Sequence, residues 1–430
     1  MRSTFHALRI RNYRIYASGG IISNVGTWLQ RVAQDWLVLL LTGSSGTALG
    51  ITTGLQFLPI LLLSPYAGLL ADRLPKRRLL MFTQAGMATA ALALGLLAVS
   101  GLAQVWHVYL LAFVFGIANA FDIPARQSFV VEIVGKDDLG NAVGLNSASF
   151  NAARVVGPAL AGGMITLLGG GVMATGLVII LNAASYLAVI WSLNLMRTAD
   201  LSTPERAPRE PGMIRDGVRY VLGRPDLMMI LLIVFFAGTF GLNFQLTTAL
   251  MATNVFHKGA GEFGLLGSAM AVGSLAGALL AARRGTPRHR LVVAAAVLFG
   301  VSEVIAGFMP TYLTFALVLP LVGVTALTMI TAANATMQLS VSPDMRGRVM
   351  ALYMMVFMGG TPAGAPVIGW LGEHFGARWT LIAGGLLVIA GTAFATLLFT
   401  RRKGIVVRPK LEPHPHMHVY GRREYAELRS

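Results

Sequence analysis

Apolar runs long enough to cross a lipid bilayer recur along almost the whole chain, from residue 13 to residue 400. Each run has about 18 to 28 residues, and a helix needs about 20 apolar residues to span the hydrocarbon core of a membrane. The runs end at charged residues or at clusters of Gly and Pro. They predict an all-α membrane protein with about twelve transmembrane helices.

The predicted helices form two sets of six. The first set covers residues 13–41, 48–70, 79–99, 106–128, 141–168 and 172–196, and the second covers residues 226–252, 262–282, 290–309, 312–339, 347–371 and 376–400. Only 12% of the residues are charged, whereas a soluble domain has about 25%. The chain is therefore expected to be one membrane domain rather than a string of soluble ones.

The net charge of +16 would suit a protein that neutralises nucleic-acid phosphates. The positions of the basic residues argue against that class, because they cluster at alternate ends of the apolar runs, as the positive-inside bias requires. With the N-terminus inside, thirty of the 34 Lys and Arg residues lie in inside segments and only Lys258 and Arg378 lie outside. We expect cytoplasmic N- and C-termini and no nucleic-acid partner.

A single long connector separates the two sets of helices, with six arginines and three prolines between residues 197 and 224. The expected organisation is a first half at 1–196, a cytoplasmic linker at 197–225, a second half at 226–400 and a basic cytoplasmic tail at 401–430. Within the linker, Met213 to Leu222 has the spacing of a short helix at the membrane surface, although a solvated linker fits equally well. His414, His416 and His418 favour a flexible tail over a weak metal site.

Loops in the two halves are similar to each other. The sequence GLLADRLPKRR from Gly68 corresponds to GALLAARRGTPRHR from Gly277, and GKDDLGNAVGLN from Gly135 corresponds to SPDMRGRVMALY from Ser342. Parallel six-helix repeats, related by an axis along the membrane normal, describe one architecture of secondary transporters. Its substrate site lies between the halves, near the middle of the membrane.

These residues also carry a family resemblance. The loop 68–78 resembles the signature loop of the major facilitator superfamily. The segments DIPARQ at 122–127, ARVVGPALAG at 153–162 and RGRV at 346–349 resemble the branch of bacterial exporters related to enterobactin and macrolide efflux proteins. Gly157 and Pro158 resemble the helix-five antiporter motif of drug exporters, with Ala153 where that pattern has Gly.

The resemblance implies a multi-pass transporter of the bacterial cytoplasmic membrane that exports amphipathic small molecules in exchange for protons. Uptake by symport and lipid transport by the same fold remain alternatives. The expected partners are a small-molecule substrate, protons and membrane lipids, and the chain is expected to be a monomer. No nucleophile paired with a base and no Walker loop occurs, so neither an enzyme nor a cofactor is expected. The absence of cysteine excludes thiolate metal sites.

The signature loop further implies a gate on the inner side. An acid at the position of Asp72 would lie against the start of helix eleven and near an arginine of helix four, for which Arg126 is the candidate. A helix N-terminus and a guanidinium both stabilise a carboxylate, so physical chemistry agrees with this placement. The gate residues are Gly68, Asp72, Arg73, Lys76, Arg77, Arg78 and Arg126.

Ionisable side chains inside a span cost about 2.5–3.5 kcal/mol each on insertion scales, so they usually face a cavity or a partner. Asn24, Trp28, Arg31 and Asp35 share one face of helix one, which we predict to face a central cavity. Asp35 is a candidate for proton coupling or for a static ion pair. Arg31, one turn away, is one candidate partner of Asp35.

Arg154 is another candidate partner, on a face of helix five that it shares with Asn151 and Pro158. Glu303 in helix nine has no basic residue within a turn, so it must find a partner elsewhere, stay protonated or reach water. Gln34 is a further cavity candidate. Asn243 and Gln245 are others, for which hydrogen bonding between helices is the alternative.

Overall fold

The computed structural model describes residues 5–202, 213–283, 285, 287–403, 405–410 and 416–421, with the backbone alone at residues 65, 72, 213, 214, 403 and in the two tail strands. Twelve long helices follow the predicted positions. They are α1 Arg11–Thr42, α2 Gly46–Arg73, α3 Lys76–Val99, α4 Val105–Val134, α5 Leu139–Leu167, α6 Val172–Asn194, α7 Pro225–Val255, α8 Ala260–Arg283, α9 His289–Gly307, α10 Tyr312–Ser340, α11 Pro343–Phe375 and α12 Arg378–Lys403.

Ten of these helices are long and apolar enough to cross a membrane by length and composition. The remaining two, α1 and α5, have 32 and 29 residues. At a rise of 1.5 Å per residue they are about 45 Å long, which is also enough to span. They are less apolar because they carry the predicted polar faces around Arg31 and Arg154.

Two long helices are not continuous α-helix. In α7, π-helical turns at Ala237–Gly241 and Met251–Val255 flank the α-helical segment Phe244–Leu250. In α11, the segments Pro343–Gly359 and Thr361–Phe375 meet at Gly360. Local turn chemistry sets the helix ends. Gly43, with a φ of 62°, ends α1, and the Ser45 hydroxyl accepts a hydrogen bond from the Ala48 amide at the start of α2.

The helices pack as two halves, α1–α6 and α7–α12. Within them α3 packs on α6 and α9 packs on α12, while α2 packs against α11 and α5 packs against α8 across the boundary between the halves. We call the end of the bundle where α1 begins and α12 ends the terminal face. The other end, with the α1–α2, α5–α6, α7–α8 and α11–α12 loops, is the opposite face.

The linker contains a short helix, Met213–Leu222, at the position the sequence predicted. The Asp216 carboxylate of this helix accepts a hydrogen bond of 3.3 Å from Arg348. The linker helix therefore lies beside the first turns of α11 at the terminal face. After α12, the strands β1 Ile405–Lys410 and β2 His416–Gly421 pair in antiparallel register. The sequence predicted a flexible tail and no such pair. His414 lies outside the described residues.

Candidate functional site

A cavity of about 200 Å³ lies between the two halves. Helices α1, α2 and α5 of the first half and α7, α8 and α11 of the second half contribute to its wall. Its polar lining consists of Arg31, Thr53, Arg154, Asn243, Gln245, Thr248 and Thr361, and its apolar lining includes Trp28, Phe57, Phe244, Phe263 and Met270. A wall with few polar groups among aromatic side chains is typical of small-molecule sites.

Two arginines approach the same indole ring in this cavity. The guanidinium carbon of Arg31 is 4.9 Å from the centre of the Trp28 ring, and that of Arg154 is 5.8 Å from it. Both distances fall within the range of cation–π attraction, about 6 Å. Gly157 permits this arrangement, because a Cβ at Gly157 would lie 2.5 Å from the Cβ of Trp28. The Gly157–Pro158 motif thus brings α5 against α1 beside the cavity.

The charge of the cavity is positive. None of the described residues that line it is acidic. Asp35 is buried one turn from Arg31 and does not line the cavity. In the described part of the chain, no ion pair within 4.0 Å joins Asp35 to either arginine. Arg154, a candidate partner of Asp35 by sequence, instead directs its guanidinium onto the Trp28 ring.

The side chains of three other predicted cavity residues form hydrogen bonds with a neighbouring helix or with their own helix. The Asn24 amide donates to the Ser149 hydroxyl of α5 at 3.1 Å, and the Asn151 amide donates to the Ser147 carbonyl of its own helix at 2.8 Å. Gln34 is buried and donates to the Gln56 side chain of α2 at 3.2 Å. None of them lines the described cavity.

Glu303 is buried away from the cavity. Its side chain is 1% exposed, and its Oε2 atom has no hydrogen-bond partner among the described residues. It faces the glycines of α12, since a Cβ at Gly385 would lie 3.0 Å from the Cβ of Glu303. This position follows from the packing of α9 against α10 and α12.

The break in α7 places Asn243 and Gln245 on the cavity wall. The π-helical turn ends at Gly241, which packs so closely that a Cβ there would lie 2.7 Å from the ring of Phe299. The Asn243 amide group donates to the Thr239 carbonyl at 2.9 Å, while its buried Oδ1 atom has no described partner. Sequence reasoning found the two amides but missed the break, for which the nearby glycines were the only signal.

Toward the opposite face, the halves close on one another through small residues. A Cβ at Gly50 of α2 would overlap the backbone of Ala365 in α11, and one at Gly162 of α5 would overlap the backbone of Ala260 in α8. The Glu373 carboxylate accepts hydrogen bonds from the Ser45 hydroxyl at 2.7 Å and from the Thr47 amide at 2.9 Å. The cavity is therefore shut on this side.

Toward the terminal face, α5 has open space on the side that carries Arg154. On α5, a Cβ at Gly140 or at Gly144 would meet nothing within 4 Å. Ser147 is exposed on the face that carries Arg154, and Phe150 is 44% exposed. The space beside Arg154 therefore continues toward the terminal face.

The basic residues of the predicted gate bind within the first half. Lys76 forms an ion pair of 2.6 Å with Glu132 of α4, and Arg77 donates to the Leu193 carbonyl of α6 at 2.6 Å. Arg126, the candidate partner of Asp72, forms an ion pair of 3.0 Å with Asp122. Gly68 lies near the end of α2, and Arg73 and Arg78 are exposed. The side chain of Asp72 lies outside the described residues.

Asp122 was not singled out from the sequence, and it is the centre of a buried network. Its Oδ1 atom accepts hydrogen bonds from Thr83 and from Gln84, both of 2.8 Å, and its Oδ2 atom accepts from Arg126. The DIPARQ segment at 122–127 contains both Asp122 and Arg126, spaced one helical turn apart. That spacing was the signal that could have identified the pair.

The sequence profile of the transmembrane secretion effectors, a family within the major facilitator superfamily, matches residues 2–418. The chain belongs to this family. The family resemblance and the all-α transporter fold predicted from the sequence are both confirmed.

Two named bacterial transporters resemble the chain over nearly their whole length. The multidrug efflux pump Tap of Mycolicibacterium fortuitum is 26% identical over 90% of this chain and 96% of its own. The staphyloferrin A transporter of Staphylococcus aureus is 25% identical over 94% of this chain and 99% of its own. A bacterial homologue of the human lysosomal transporter Spinster, solved in an inward-facing, unoccupied conformation, shares the fold with a TM-score of 0.74 at 15% identity, over 90% and 97% of the two chains.

Proposed function

We propose that this secretion effector exports amphipathic small molecules across the bacterial cytoplasmic membrane by alternating access, driven by the proton gradient. The observation that carries the proposal is the cavity, which both halves line and which interhelical contacts close at the opposite face. The relative named as an efflux pump, Tap, supports the outward direction.

The terminal face is proposed to be cytoplasmic. By sequence, thirty of the 34 basic residues belong to the segments that precede α1, follow α12 or connect helices on the same side as these two ends, and the positive-inside bias places such segments in the cytoplasm. The described conformation then corresponds to an inward-facing state. Export requires the α2–α11 and α5–α8 contacts to separate while the halves approach at the terminal face, where the Asp72 gate is proposed to close.

Asp35 is the proposed proton carrier. It is buried one turn from Arg31, so a change in its charge alters the electrostatic potential at the cavity wall. Glu303 is the second candidate, but its position behind α7 gives it no direct contact with the cavity.

A cross-link across the closed face tests the proposal. The chain contains no cysteine, so Ser45→Cys and Glu373→Cys introduce the only two thiols. A short bifunctional methanethiosulfonate should join them in the inward-facing state and abolish dye export from proteoliposomes, and reduction should restore it. The matched control joins Ser100→Cys to Gln104→Cys, both in the first half at the same face. Export that continues after complete cross-linking of the first pair would contradict alternating access about this contact.

The direction of transport is a separate measurement. Proteoliposomes with an imposed inward or outward pH gradient and an internal dye should release the dye only when protons flow in the opposite direction. Release that follows the proton flow would favour the symport alternative.

A further inference from the structure

We infer that the substrate carries an anionic group, a carboxylate or a phosphate ester, which binds between Arg31 and Arg154 beside Trp28. The inference rests on the proposed function, because it takes the cavity as the substrate site. It adds the chemical class of the substrate, which the drug-efflux and siderophore names of the relatives leave open.

The charges at the cavity support this class. Arg31 and Arg154 are the two charged residues of the described cavity wall, and both are half-buried there. Asp35 lies one helical turn from Arg31, whereas no acidic residue in the described part of the chain forms an ion pair within 4.0 Å with Arg154. Two cations with one nearby carboxylate leave a positive charge uncompensated. A guanidinium in such a place favours an anion that it can bind through two parallel N–H groups.

Trp28 prepares the two arginines for such a ligand. Its ring attracts both guanidinium groups, which limits the freedom of two long side chains before any ligand arrives. The Nε1–H group of Trp28 is buried and has no hydrogen-bond partner among the described residues. A buried donor without an acceptor is costly, so an anion that reaches it gains a third hydrogen bond.

The rest of the wall selects an amphipathic anion rather than a small hydrated one. Phe57, Phe244, Phe263 and Met270 face the same space as the arginines. Aromatic and thioether side chains bind flat apolar groups and adapt to their shape. An organic acid from the cytoplasm and the headgroup of an anionic lipid from the inner leaflet both offer this combination.

The test compares three ligands with one apolar body: 1-naphthoate, 1-naphthamide and 1-naphthylmethylamine. Their affinities for the purified full chain are measured by isothermal titration in a neutral detergent. We expect the carboxylate to bind at least tenfold more tightly than the amide, and the ammonium to bind most weakly. No preference for the carboxylate, including no binding of any of the three, would overturn the inference.

Four variants locate the anion. Arg154→Gln and Arg31→Gln should each lower naphthoate affinity at least tenfold and leave naphthamide affinity unchanged, which also shows that the cavity is intact. Trp28→Phe should lower naphthoate affinity less, since the ring remains and the donor is lost. Arg288→Gln removes an exposed arginine between α8 and α9 and serves as the charge-matched control. Equal losses in Arg288→Gln and Arg154→Gln would refute the site.

Nanodiscs of phosphatidylglycerol and of phosphatidylcholine separate the two sources of the anion. Weaker naphthoate binding in phosphatidylglycerol identifies the lipid headgroup as an occupant, and equal binding identifies the soluble acid. Both outcomes support the anion site.

The two assays also separate failure of the proposed export from failure of the anion inference. If naphthoate binds through Arg154 but no dye passes in the cross-linking assay, the site stands and export does not. If cross-linking blocks dye export but the acid is not preferred, export stands and the inference fails.

Discussion

Adding one methyl group to α5 should shift the protein from its described conformation toward the one open at the opposite face. The change is Gly162→Ala. A Cβ at Gly162 would overlap the carbonyl oxygen of Ala260 and lie 3.0 Å from its carbonyl carbon and 3.1 Å from the Cα of Gly261. These are backbone atoms, which cannot move aside by rotating a side chain. The contact between α5 and α8 must therefore widen, or the halves must separate there.

The expected size of the effect follows from packing. Overpacking a well-packed contact costs about 1–3 kcal/mol. When only the closed arrangement bears this cost, the ratio of open to closed protein rises about 5- to 150-fold. Gly163 provides a matched control in the same helix, because a Cβ at Gly163 would meet nothing within 4 Å. Both changes replace Gly by Ala in one helix, so propensity cannot explain a difference between them.

Accessibility of one cysteine measures the shift. In the chain without native cysteine, Thr361→Cys places a thiol on the cavity wall. A membrane-impermeant maleimide applied to intact cells should label this thiol several-fold faster in the Gly162→Ala background and at the parent rate in the Gly163→Ala background. Equal rates in both backgrounds, with both proteins folded by size-exclusion chromatography, would refute the steric reasoning.

Two further predictions concern buried acids. Asp35→Asn should abolish dye export driven by a pH gradient while leaving dye binding intact. Glu303→Gln should retain such export, because Glu303 is remote from the cavity. If Glu303→Gln abolishes export and Asp35→Asn retains it, Glu303 is the proton carrier instead. Asp122→Asn should lower the free energy of unfolding by about 3 kcal/mol, since Arg126 then loses a buried partner. Thermal unfolding in detergent tests this, and the double variant with Arg126→Gln should recover part of the loss if the pair is what matters.

The sequence predicted the helices well because bilayer thickness fixes their length. It also placed Trp28, Arg31 and Arg154 near one cavity, because ionisable groups inside a membrane need polar surroundings. The aromatic wall, such as Phe57, could not be predicted, since a phenylalanine that faces a cavity and one that faces lipid have the same local sequence pattern. The break at Gly241 was also missed, because the local pattern does not show what Gly241 packs against, which includes Phe299, more than fifty residues away along the chain.

Arg154 shows that helical periodicity predicts the face of a side chain but not its contact partner. Periodicity assigns a face, but the direction of a long side chain depends on what that face meets. Asp35 and Arg154 lie on faces that both point inward, which suggested an ion pair. The indole of Trp28 lies between the helices and attracts the guanidinium instead.

The arrangement of the two arginines is difficult to explain as a static packing device. Their guanidinium carbons share one ring and are therefore no more than about 11 Å apart, so their repulsion is at least about 1.5 kcal/mol at an effective dielectric constant near 20. Each group also loses part of its hydration in the half-buried wall. A protein that needed only packing here would be more stable with apolar side chains of similar volume. The empty inward-facing state bears this cost, and a bound anion offsets it because the anion attracts both guanidinium groups. That attraction is absent for a neutral ligand of the same shape and becomes repulsion for a cationic one.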